Sequence, residues 1–218
     1  MGCGAVIVGA GQGLRLGFNF PKAFVLLKSK PLFEYSLKVF LEHPKISEIV
    51  LVVPPDKKDI VLPLRCKAVA GGSTRQESVF NGLKTLSPDC QRVLVHDAAR
   101  PFISKAILDR LLEPLERGIA SIAAWPVSDT VKATEGKKII KTIDRQNLWI
   151  AQTPQAFPIS ILKEALAKAR ADNFVGTDEA SLVERLGISV QVVLGDAANI
   201  KITSPEDLIL AEALLNKI

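Results

Sequence analysis

The chain has 218 residues, of which 48% are hydrophobic and 23% are charged, and this ordinary globular mixture excludes a disordered or fibrous protein. Its formal net charge of +5 comes from basic residues interleaved with acidic ones, which favours small anionic ligands over nucleic acid. No apolar run approaches the roughly 20 residues that a membrane span requires, so we expect neither a membrane nor a nucleic-acid partner.

Apolar runs typical of buried strands alternate with amphipathic segments typical of helices along most of the chain. The predicted strands cover residues 4–8, 23–27, 49–53, 66–70, 93–95, 120–127 and 190–194. The predicted helices cover residues 31–43, 74–86, 104–117, 161–170, 178–185 and 205–215. This βαβ spacing predicts one α/β domain, residues 1–218, in which helices cover both faces of a mostly parallel sheet.

Residues 130–148 break this alternation. Strand-like residues flank a Glu135-Gly136 turn, and the segment has too little apolar surface to form a core of its own. We therefore predict a β-hairpin arm, at about residues 130–150, that projects from the body of the domain.

A long glycine-rich loop, Gly9-Ala10-Gly11-Gln12-Gly13-Leu14-Arg15, follows the first predicted strand and leads to Pro21-Lys22. Glycines let a polyphosphate approach the backbone N–H groups closely, and Arg15 and Lys22 add positive charge. A purely structural turn would not need these two basic residues. A dinucleotide-binding loop would continue directly into a helix, which Asn19-Phe20-Pro21 interrupts here. A Walker loop is excluded because Gly-Lys-Ser/Thr is absent.

Two more polar loops follow predicted strands, at the edge where parallel sheets bind ligands. The sequence Gly71-Gly72-Ser73-Thr74-Arg75-Gln76-Glu77-Ser78 enters a helix, so it favours either an anionic ligand or simple N-capping by Ser73. In His96-Asp97-Ala98-Ala99-Arg100-Pro101, Asp97 can accept sugar hydroxyl groups or help to hold a magnesium ion. An internal Asp97–Arg100 ion pair is the alternative, and we expect His96 to be structural.

Two basic residues lie outside these loops. Arg145, in the predicted arm, is either a phosphate clamp or a solvated surface charge. Lys201, in the sequence Asn199-Ile200-Lys201-Ile202-Thr203, is either a ligand-binding residue or an ordinary surface lysine.

The cysteines Cys3, Cys66 and Cys90 are far apart and odd in number. This spacing fits neither a disulfide framework nor a set of metal ligands. We therefore expect incidental thiols in a reducing compartment, and predict a cytoplasmic protein.

The order and spacing of these motifs resemble the 2-C-methyl-D-erythritol 4-phosphate cytidylyltransferase family of the non-mevalonate isoprenoid pathway. The matching patterns, which extend over residues 5–214, are GxGxR, PK, GGxxRxxS, HDAARP, DT, DR, TPQ and NIKIT. The resemblance implies a Rossmann-like α/β body and transfer of CMP from CTP to a small sugar-alcohol phosphate. It also implies a homodimer, in which the arm of one subunit completes the other's site, and Mg²⁺ held mainly by phosphates rather than by a protein metal site.

The resemblance also assigns roles to the matching residues of this chain. The residues that would stabilise the reacting phosphates are Arg15, Lys22 and Lys201. The residues that would hold the nucleotide are Ala10, Gly11, Gly13, Gly72, Ser73 and Ser78. The residues that would bind methylerythritol phosphate are Asp97, Arg100, Thr130, Arg145 and Thr153, with Arg145 and Thr153 at its phosphate.

The chain departs from the family pattern at two positions, where the family usually has Ala-Ala-Gly and Pro-Lys-Gln. Gly9 removes only a methyl group and should be tolerated, whereas Ala23 removes a polar side chain beside Lys22. The closest alternative is a ribitol-5-phosphate cytidylyltransferase, which Ala98-Ala99 and the Asp144-Arg145…Leu148-Trp149 pattern disfavour. An NAD(P)-dependent oxidoreductase lacks support because no acidic ribose partner is present. A non-catalytic nucleotide-binding module is a further alternative, which would release no pyrophosphate from CTP.

Overall fold

The computed structural model describes residues 2–13 and 20–216. The strands are β1 (Gly2–Val8), β2 (Leu26–Leu27), β3 (Lys30–Pro31), β4 (Glu48–Val53), β5 (Cys66–Ala70), β6 (Cys90–Asp97), β7 (Ser121–Pro126), β8 (Val131–Glu135), β9 (Lys138–Ile143), β10 (Trp149–Pro158) and β11 (Gln191–Leu194). The α-helices are α1 (Leu32–Glu42), α2 (Arg75–Thr85), α3 (Lys105–Glu116), α4 (Ile159–Ala171), α5 (Glu179–Glu184) and α6 (Pro205–Leu215).

The main sheet has seven strands in the order β11-β7-β10-β6-β1-β4-β5. β1 lies near its centre and pairs in parallel with β4 on one side and with β6 on the other. The chain therefore runs outward from β1 to β5 and then returns to the opposite side of β1. Such a reversal of strand order opens a crevice at the carboxyl ends of the strands. The predicted Rossmann-like α/β fold with a mostly parallel sheet is confirmed.

Helices cover both faces of this sheet. Neighbouring residues of a strand point to opposite faces, and the apolar side chains on each face pack against helices. In β1, Ala5 and Ile7 pack with α1 and α3, whereas Val6 packs with α2 and α4. β4 is buried on both faces and accordingly is apolar from Ile49 to Val53. A smaller cluster, which includes Leu27, joins α6 to the β2–β3 hairpin.

Gly82 allows α2 to pack closely against the sheet, and its replacement by alanine should destabilise the protein. A Cβ atom at this position would lie 2.5 Å from Cγ1 of Val6, closer than real contacts permit. We expect Gly82→Ala to lower the free energy of unfolding by about 1–3 kcal/mol, as overpacking of a filled core does. Lys84→Ala, at an exposed position of the same helix, is the control and should change it by less than about 0.5 kcal/mol. Equal urea midpoints for Gly82→Ala and the wild type would show that α2 is not held this close.

Two predictions of secondary structure fail locally. The predicted strand at 23–27 is wrong over its first part, because Lys22–Phe24 is a short 3-10 helix and the strand is limited to Leu26–Leu27. The second failure is β10, a strand that pairs antiparallel with both β6 and β7 and that the sequence pattern did not predict. Its Pro154 lies where pairing with β7 is interrupted, between Ala151 and Gln155. A proline inside a run argues against a central strand, which is why the pattern missed it.

The segment predicted to be a β-hairpin forms one. β8 and β9 pair antiparallel in a sheet of their own, and Gly136 occupies the turn with a φ of 56°. The hairpin buries little surface, and Ile139 and Ile140 are 59% and 55% exposed. Among the described residues, no helix is long and apolar enough to cross a membrane.

Candidate active site

A cleft of about 1000 Å³ lies at the carboxyl edge of the main sheet. Its walls come from the loops that follow β1, β4, β5 and β6, so four neighbouring strands deliver their loops to one place. Backbone hydrogen bonds continue the strand pairing into these loops. Gly9 N donates to Val52 O over 2.7 Å, Gly71 N to Val53 O over 2.8 Å, and Ala98 N to Val8 O over 3.0 Å. The floor of the cleft is therefore an extension of the sheet.

The loop after β1 is closed at its base by two backbone hydrogen bonds. Gly13 N donates to Phe20 O over 3.3 Å, and Lys22 N donates to Gly11 O over 3.2 Å. These bonds hold Lys22 beside the glycines, and Gly11, Gly13 and Lys22 all line the cleft. Arg15 belongs to residues 14–19, which lie outside the described part of the chain.

The loop after β5 lies against the first loop at Gly71. A Cβ atom there would stand 2.3 Å from Cβ of Ala10 and 2.9 Å from Oγ of Ser78, so only glycine fits this approach. The hydroxyl group of Ser78 accepts from Gly72 N over 3.1 Å and donates to Thr74 O over 2.9 Å. Ser78 is nearly fully buried, and it holds the shape of this loop from beneath.

The prediction that Ser73 is the N-cap of α2 is wrong by one residue. Thr74 is the N-cap, and its hydroxyl group accepts from Glu77 N over 3.1 Å. Ser73 instead donates its hydroxyl group, over 2.6 Å, and its backbone N–H, over 2.8 Å, to the Glu77 carboxylate. Both Gly72 and Ser73 line the cleft. The Ser73 position is therefore exposed at the helix entrance rather than inside the first turn.

Asp97, at the end of β6, forms the centre of a charged group on the cleft floor. Its Oδ1 accepts from Nε of Arg75 over 3.0 Å and lies 2.9 Å from Nη2 of the same residue. Its Oδ2 forms an ion pair with Nζ of Lys201 at 2.7 Å. The alternative of an Asp97–Arg100 ion pair is wrong for the described contacts. The guanidinium group of Arg100 instead donates to the backbone carbonyl oxygens of Asn199, over 2.6 Å, and Ala151, over 3.4 Å.

Two cations decide the protonation state of Asp97. Burial alone would raise the pKa of its carboxyl group, but Arg75 and Lys201 hold this pKa well below the usual range. Asp97 is therefore ionised throughout the physiological range. Lys201, whose side chain is 39% exposed, faces the cleft beside it.

Lys201 reaches the cleft because its segment packs on the loop after β6. Ile202 N donates to Ala99 O over 2.9 Å, and the Ile202 side chain is fully buried. The amide group of Asn199, also fully buried, donates to Thr153 O over 2.9 Å and to Oε1 of Gln152 over 3.1 Å. This explains why the sequence around Lys201 alternates buried residues with one exposed lysine.

His96 and Thr153 lie beneath the cleft. Nδ1 of His96 is 3.1 Å from the Thr153 hydroxyl group, and Nε2 is 3.0 Å from Arg100 O. Burial lowers the pKa of His96 to about 4, so this histidine is neutral at pH 7. The same Thr153 hydroxyl group accepts from Asp97 N over 3.0 Å. In this structure both side chains support the loop after β6, and Thr153 does not line the cleft.

The structure brings most of the predicted site residues together. Those that line the cleft are Ala10, Gly11, Gly13, Lys22, Gly72, Ser73, Ser78, Asp97 and Lys201. Those that do not line it are Arg100, Thr130, Arg145 and Thr153. Thr130 and Arg145 are exposed near the β8–β9 hairpin, and Arg145 donates a hydrogen bond to Ser128 O. Neither residue lines the cleft of its own chain.

Sequence reasoning missed two members of the charged group. Arg75 lies within the Gly71–Ser78 motif, yet that motif drew attention only to its glycines and serines. Glu179, the first residue of α5, is 1% exposed and accepts from Nη1 of Arg75 over 2.6 Å. The only sequence signal for it was a carboxylate directly after Asp178, the N-cap of a short helix. Such a residue usually faces water, so its burial was not predictable from local pattern.

The parts of the chain that the structure describes contain no group of three or more His, Cys, Asp or Glu side chains placed to hold a metal ion. Both oxygens of Asp97, the carboxylate on the cleft floor, already accept from cationic side chains. A divalent ion in this cleft would therefore need ligands other than a cage of protein carboxylates.

The fold and the cleft define the class: an α/β protein with a glycine-lined cleft, which also contains lysine side chains, at the carboxyl edge of its sheet. A family model, IspD, 2-C-methyl-D-erythritol 4-phosphate cytidylyltransferase, matches residues 3–217. The cytidylyltransferase of that name from Alkaliphilus metalliredigens is 43% identical over 97% of this chain and 92% of its own. The enzyme of the same name from Dictyoglomus thermophilum is 44% identical over 97% of this chain and 96% of its own length.

Solved structures agree with the sequence comparison. The crystal structure of 2-C-methyl-D-erythritol 4-phosphate cytidylyltransferase from Thermus thermophilus is similar, with a TM-score of 0.85 and 37% identity over 99% of this chain and 100% of that one. The crystal structure of a 4-diphosphocytidyl-2C-methyl-D-erythritol synthase from Anaerococcus prevotii is also similar, with a TM-score of 0.88. The two sequences are 33% identical over 99% of this chain and 96% of that one. The chain belongs to the 2-C-methyl-D-erythritol 4-phosphate cytidylyltransferase family.

Proposed function

We propose that this protein transfers CMP from CTP to 2-C-methyl-D-erythritol 4-phosphate, which forms CDP-methylerythritol and pyrophosphate in non-mevalonate isoprenoid biosynthesis. The observation that supports this most strongly is the cleft itself, where two glycine-containing loops meet beside Lys22 and Lys201. Full-length similarity to cytidylyltransferases of this family supports the same substrates over ribitol 5-phosphate and over a nicotinamide cofactor.

The proposed chemistry is an in-line displacement at the α-phosphorus of CTP. A phosphate oxygen of the sugar phosphate forms the new P–O bond, and the bond between the α-phosphorus and the bridging oxygen of the β-phosphate breaks. The nucleophile is already an anion, so no general base is needed. Catalysis then depends on positioning and on positive charge close to the phosphates. The neutral, buried state of His96 is compatible with a mechanism that uses no histidine base.

The proposed roles follow the geometry of the cleft. Lys22 and Lys201, together with Arg15, would offset the charge that builds on the reacting phosphates. The backbone of Ala10, Gly11, Gly13 and Gly72 would approach CTP closely, with Ser73 and Ser78 shaping the second loop. Asp97 and Arg100 would bind the sugar phosphate. Thr153 would act there through its support of Asp97, since its hydroxyl group accepts from Asp97 N.

Magnesium is part of this proposal. The donor set of the cleft suits an ion that is held mainly by triphosphate oxygens and water, because the negative charge of Asp97 is already compensated by Arg75 and Lys201. When bound, the ion would supply further charge neutralisation along the triphosphate. Lys22 and Lys201 would add positive charge of their own beside the triphosphate.

We also propose a homodimer in which residues 130–150 of one subunit complete the site of the other. Thr130 and Arg145 lie outside the cleft of their own chain, and the hairpin exposes Ile139 and Ile140. Exposed apolar side chains on an extension with little core of its own suit contact with another subunit. Arg145 would then clamp the phosphate of the sugar phosphate in the partner's cleft.

Mixing two inactive variants tests this arm exchange. Lys22→Ala and Arg145→Ala should each be strongly impaired alone. If they are unfolded and refolded together, half of the dimers should be mixed, and one of the two sites in each would contain both intact residues. We expect recovery of roughly a quarter of wild-type activity, measured as pyrophosphate release. No recovery, although mixed dimers are present, would show that Arg145 acts in its own subunit.

The proposal places the enzyme in the cytoplasm and treats residues 1–218 as one nucleotidyltransferase domain with its arm. Cys3, Cys66 and Cys90 are all free thiols, which suits a reducing compartment. Fractionation of cells that express the protein at its natural level would test the location.

The direct test of the function is a pyrophosphate-release assay with magnesium. It combines CTP, ATP, GTP and UTP in turn with methylerythritol 4-phosphate and with ribitol 5-phosphate. We expect rapid release only with CTP and methylerythritol 4-phosphate. Preference for ribitol 5-phosphate would move the protein to the sister activity, and no release with any pair would indicate a binding module.

A further inference from the structure

We propose that Glu179 is a positioning residue: it fixes Arg75, and Arg75 holds the Asp97 carboxylate in place to accept a hydroxyl group of the sugar phosphate. This inference rests on the proposed function and deepens it. Neither Arg75 nor Glu179 needs to touch the reacting atoms. Their task is to set the direction in which Asp97 faces the cleft.

Arg75 is shared between two carboxylates. Nε and Nη2 both donate to Oδ1 of Asp97, at 3.0 and 2.9 Å, while Nη1 donates to Oε1 of Glu179 at 2.6 Å. A guanidinium group is a rigid plane, so fixing one edge fixes the direction of the other. Glu179 is 1% exposed and lies on α5, which packs on α4. It therefore anchors Arg75 from a separate element.

The free acceptor capacity of Asp97 points to a hydroxyl group. A carboxylate offers about four lone-pair positions, two on each oxygen. Among the described residues, Oδ1 receives two N–H groups of Arg75, whereas Oδ2 receives only Nζ of Lys201. One acceptor position of Oδ2 therefore remains at the cleft, which Asp97 lines. A hydroxyl group of the polyol phosphate can donate a hydrogen there, whereas the ionised triphosphate group of CTP offers only acceptors.

Burying an ionised carboxylate such as Glu179 is costly unless the charge is compensated. Burial raises the pKa of Glu179, and Arg75 opposes that effect. Oε2 of Glu179 has no partner among the described atoms, so the residue is held by Arg75 through Oε1 alone. A buried charge with a single partner contributes little net stability. Its retention is better explained by what it does to Arg75 than by a contribution to folding.

The charged groups around Asp97 come from three elements. Arg75 faces it from α2, Lys201 from the segment after β11, and Arg100 from its own loop, and all three lower its pKa. His96, the preceding residue, is neutral at pH 7 because its pKa is about 4. Glu179 adds negative charge at the far side of Arg75. Loss of the Arg75 charge should therefore raise the pKa of Asp97 and weaken hydroxyl binding as the pH falls.

Glu179→Gln is the first test, because it keeps the shape of the side chain and removes its charge. Glu184→Gln is the matched control, at an exposed position of the same helix. We expect Glu179→Gln to raise KM for methylerythritol phosphate by roughly tenfold or more, with KM for CTP changed less than about twofold, as misplacement of one binding group does. Glu184→Gln should match the wild type in both constants.

The double variant Arg75→Gln/Glu179→Gln covers the case in which a single charge left in the interior prevents folding, since it removes both charges together. Its expected result is the same rise in KM for the sugar phosphate, with the acid limb of kcat/KM moved to higher pH. If the double variant folds, as shown by circular dichroism, and keeps the wild-type KM and pH profile, the inference is wrong. Equal rises in KM for CTP and for the sugar phosphate would also overturn it. Inactive wild-type and Glu184→Gln proteins would instead overturn the proposed function.

Discussion

Replacement of Lys22 by alanine should lower kcat by about 10² or more, the loss that follows removal of one charge-stabilising donor from a transition state. Lys22 is held at the base of the first loop by its backbone bond to Gly11 O, which the substitution leaves in place. Lys201→Ala should have an effect of similar size, because Lys201 also lines the cleft. We expect Arg15→Ala to lower kcat by a similar factor.

Steady-state and single-turnover assays of pyrophosphate release would measure this loss. Lys163→Ala, at an exposed position of α4 away from the cleft, is the control and should leave both kcat and KM unchanged. A loss confined to KM would mean that the lysines bind the ground state and the transition state equally. Near-normal turnover of the Lys22 and Lys201 variants would remove the electrostatic basis of the proposed mechanism.

Asp97→Asn should have the largest effect on stability, with a decrease in the free energy of unfolding of about 3 kcal/mol. Asp97 is almost completely buried and compensates two cations, Arg75 and Lys201. Asparagine keeps the shape and one acceptor oxygen, but it leaves the guanidinium group with Glu179 as its only ionic partner among the described residues. Part of the cost is relieved because the Lys201 side chain is 39% exposed and can turn to solvent.

The dependence of this effect on pH has a definite sign. The pKa of Asp97 is lower in the folded protein than in the unfolded chain, so its contribution is fully present above the unfolded value of about 3.9. That contribution is lost as the pH falls from there towards the folded value. The difference in urea midpoint between the wild type and Asp97→Asn should therefore be constant from pH 5 to 8 and shrink below about pH 4. A difference that grows on acidification would contradict this role of Asp97.

The sequence was sufficient for the parallel part of the fold because buried parallel strands are continuous apolar runs. Ile49 to Val53 and Val93 to Val95 could be recognised in this way, and the loops after them could be placed at one edge of the sheet. β10 could not, since its polar residues and Pro154 resemble a loop. Its polar side chains are buried by partners distant in sequence: Gln155, for example, donates to Asp178 over 2.7 Å and accepts from Ala180 N over 3.0 Å.

The same contrast applies to the site. Residues on glycine-rich loops could be predicted, because glycine and a nearby lysine are local signals for an anion. The partnership of Arg75 with Glu179 joins residues more than one hundred positions apart and leaves no local pattern. The Asp97–Arg100 alternative was wrong for a related reason: Arg100 is close in sequence, but its side chain turns to Asn199 O.

The two departures from the family pattern lie against each other in space. A Cβ atom at Gly9 would stand 3.0 Å from the Cβ atom of Ala23, and Ala23 is buried. The sequence suggested that Gly9 merely removes a methyl group, and that Ala23 removes a polar side chain beside Lys22. In the structure, the Ala23 methyl group packs against the space that Gly9 leaves.

A crystal structure of the protein with CTP and magnesium tests the central claim most directly, which is that cations from separate segments surround one triphosphate at the carboxyl edge of the sheet. We predict that the triphosphate occupies the cleft, with Lys22 and Arg15 on its phosphates and Lys201 facing the α-phosphate side. A triphosphate bound elsewhere, or one in the cleft with Lys22 and Lys201 both turned away from its phosphates, would contradict the account.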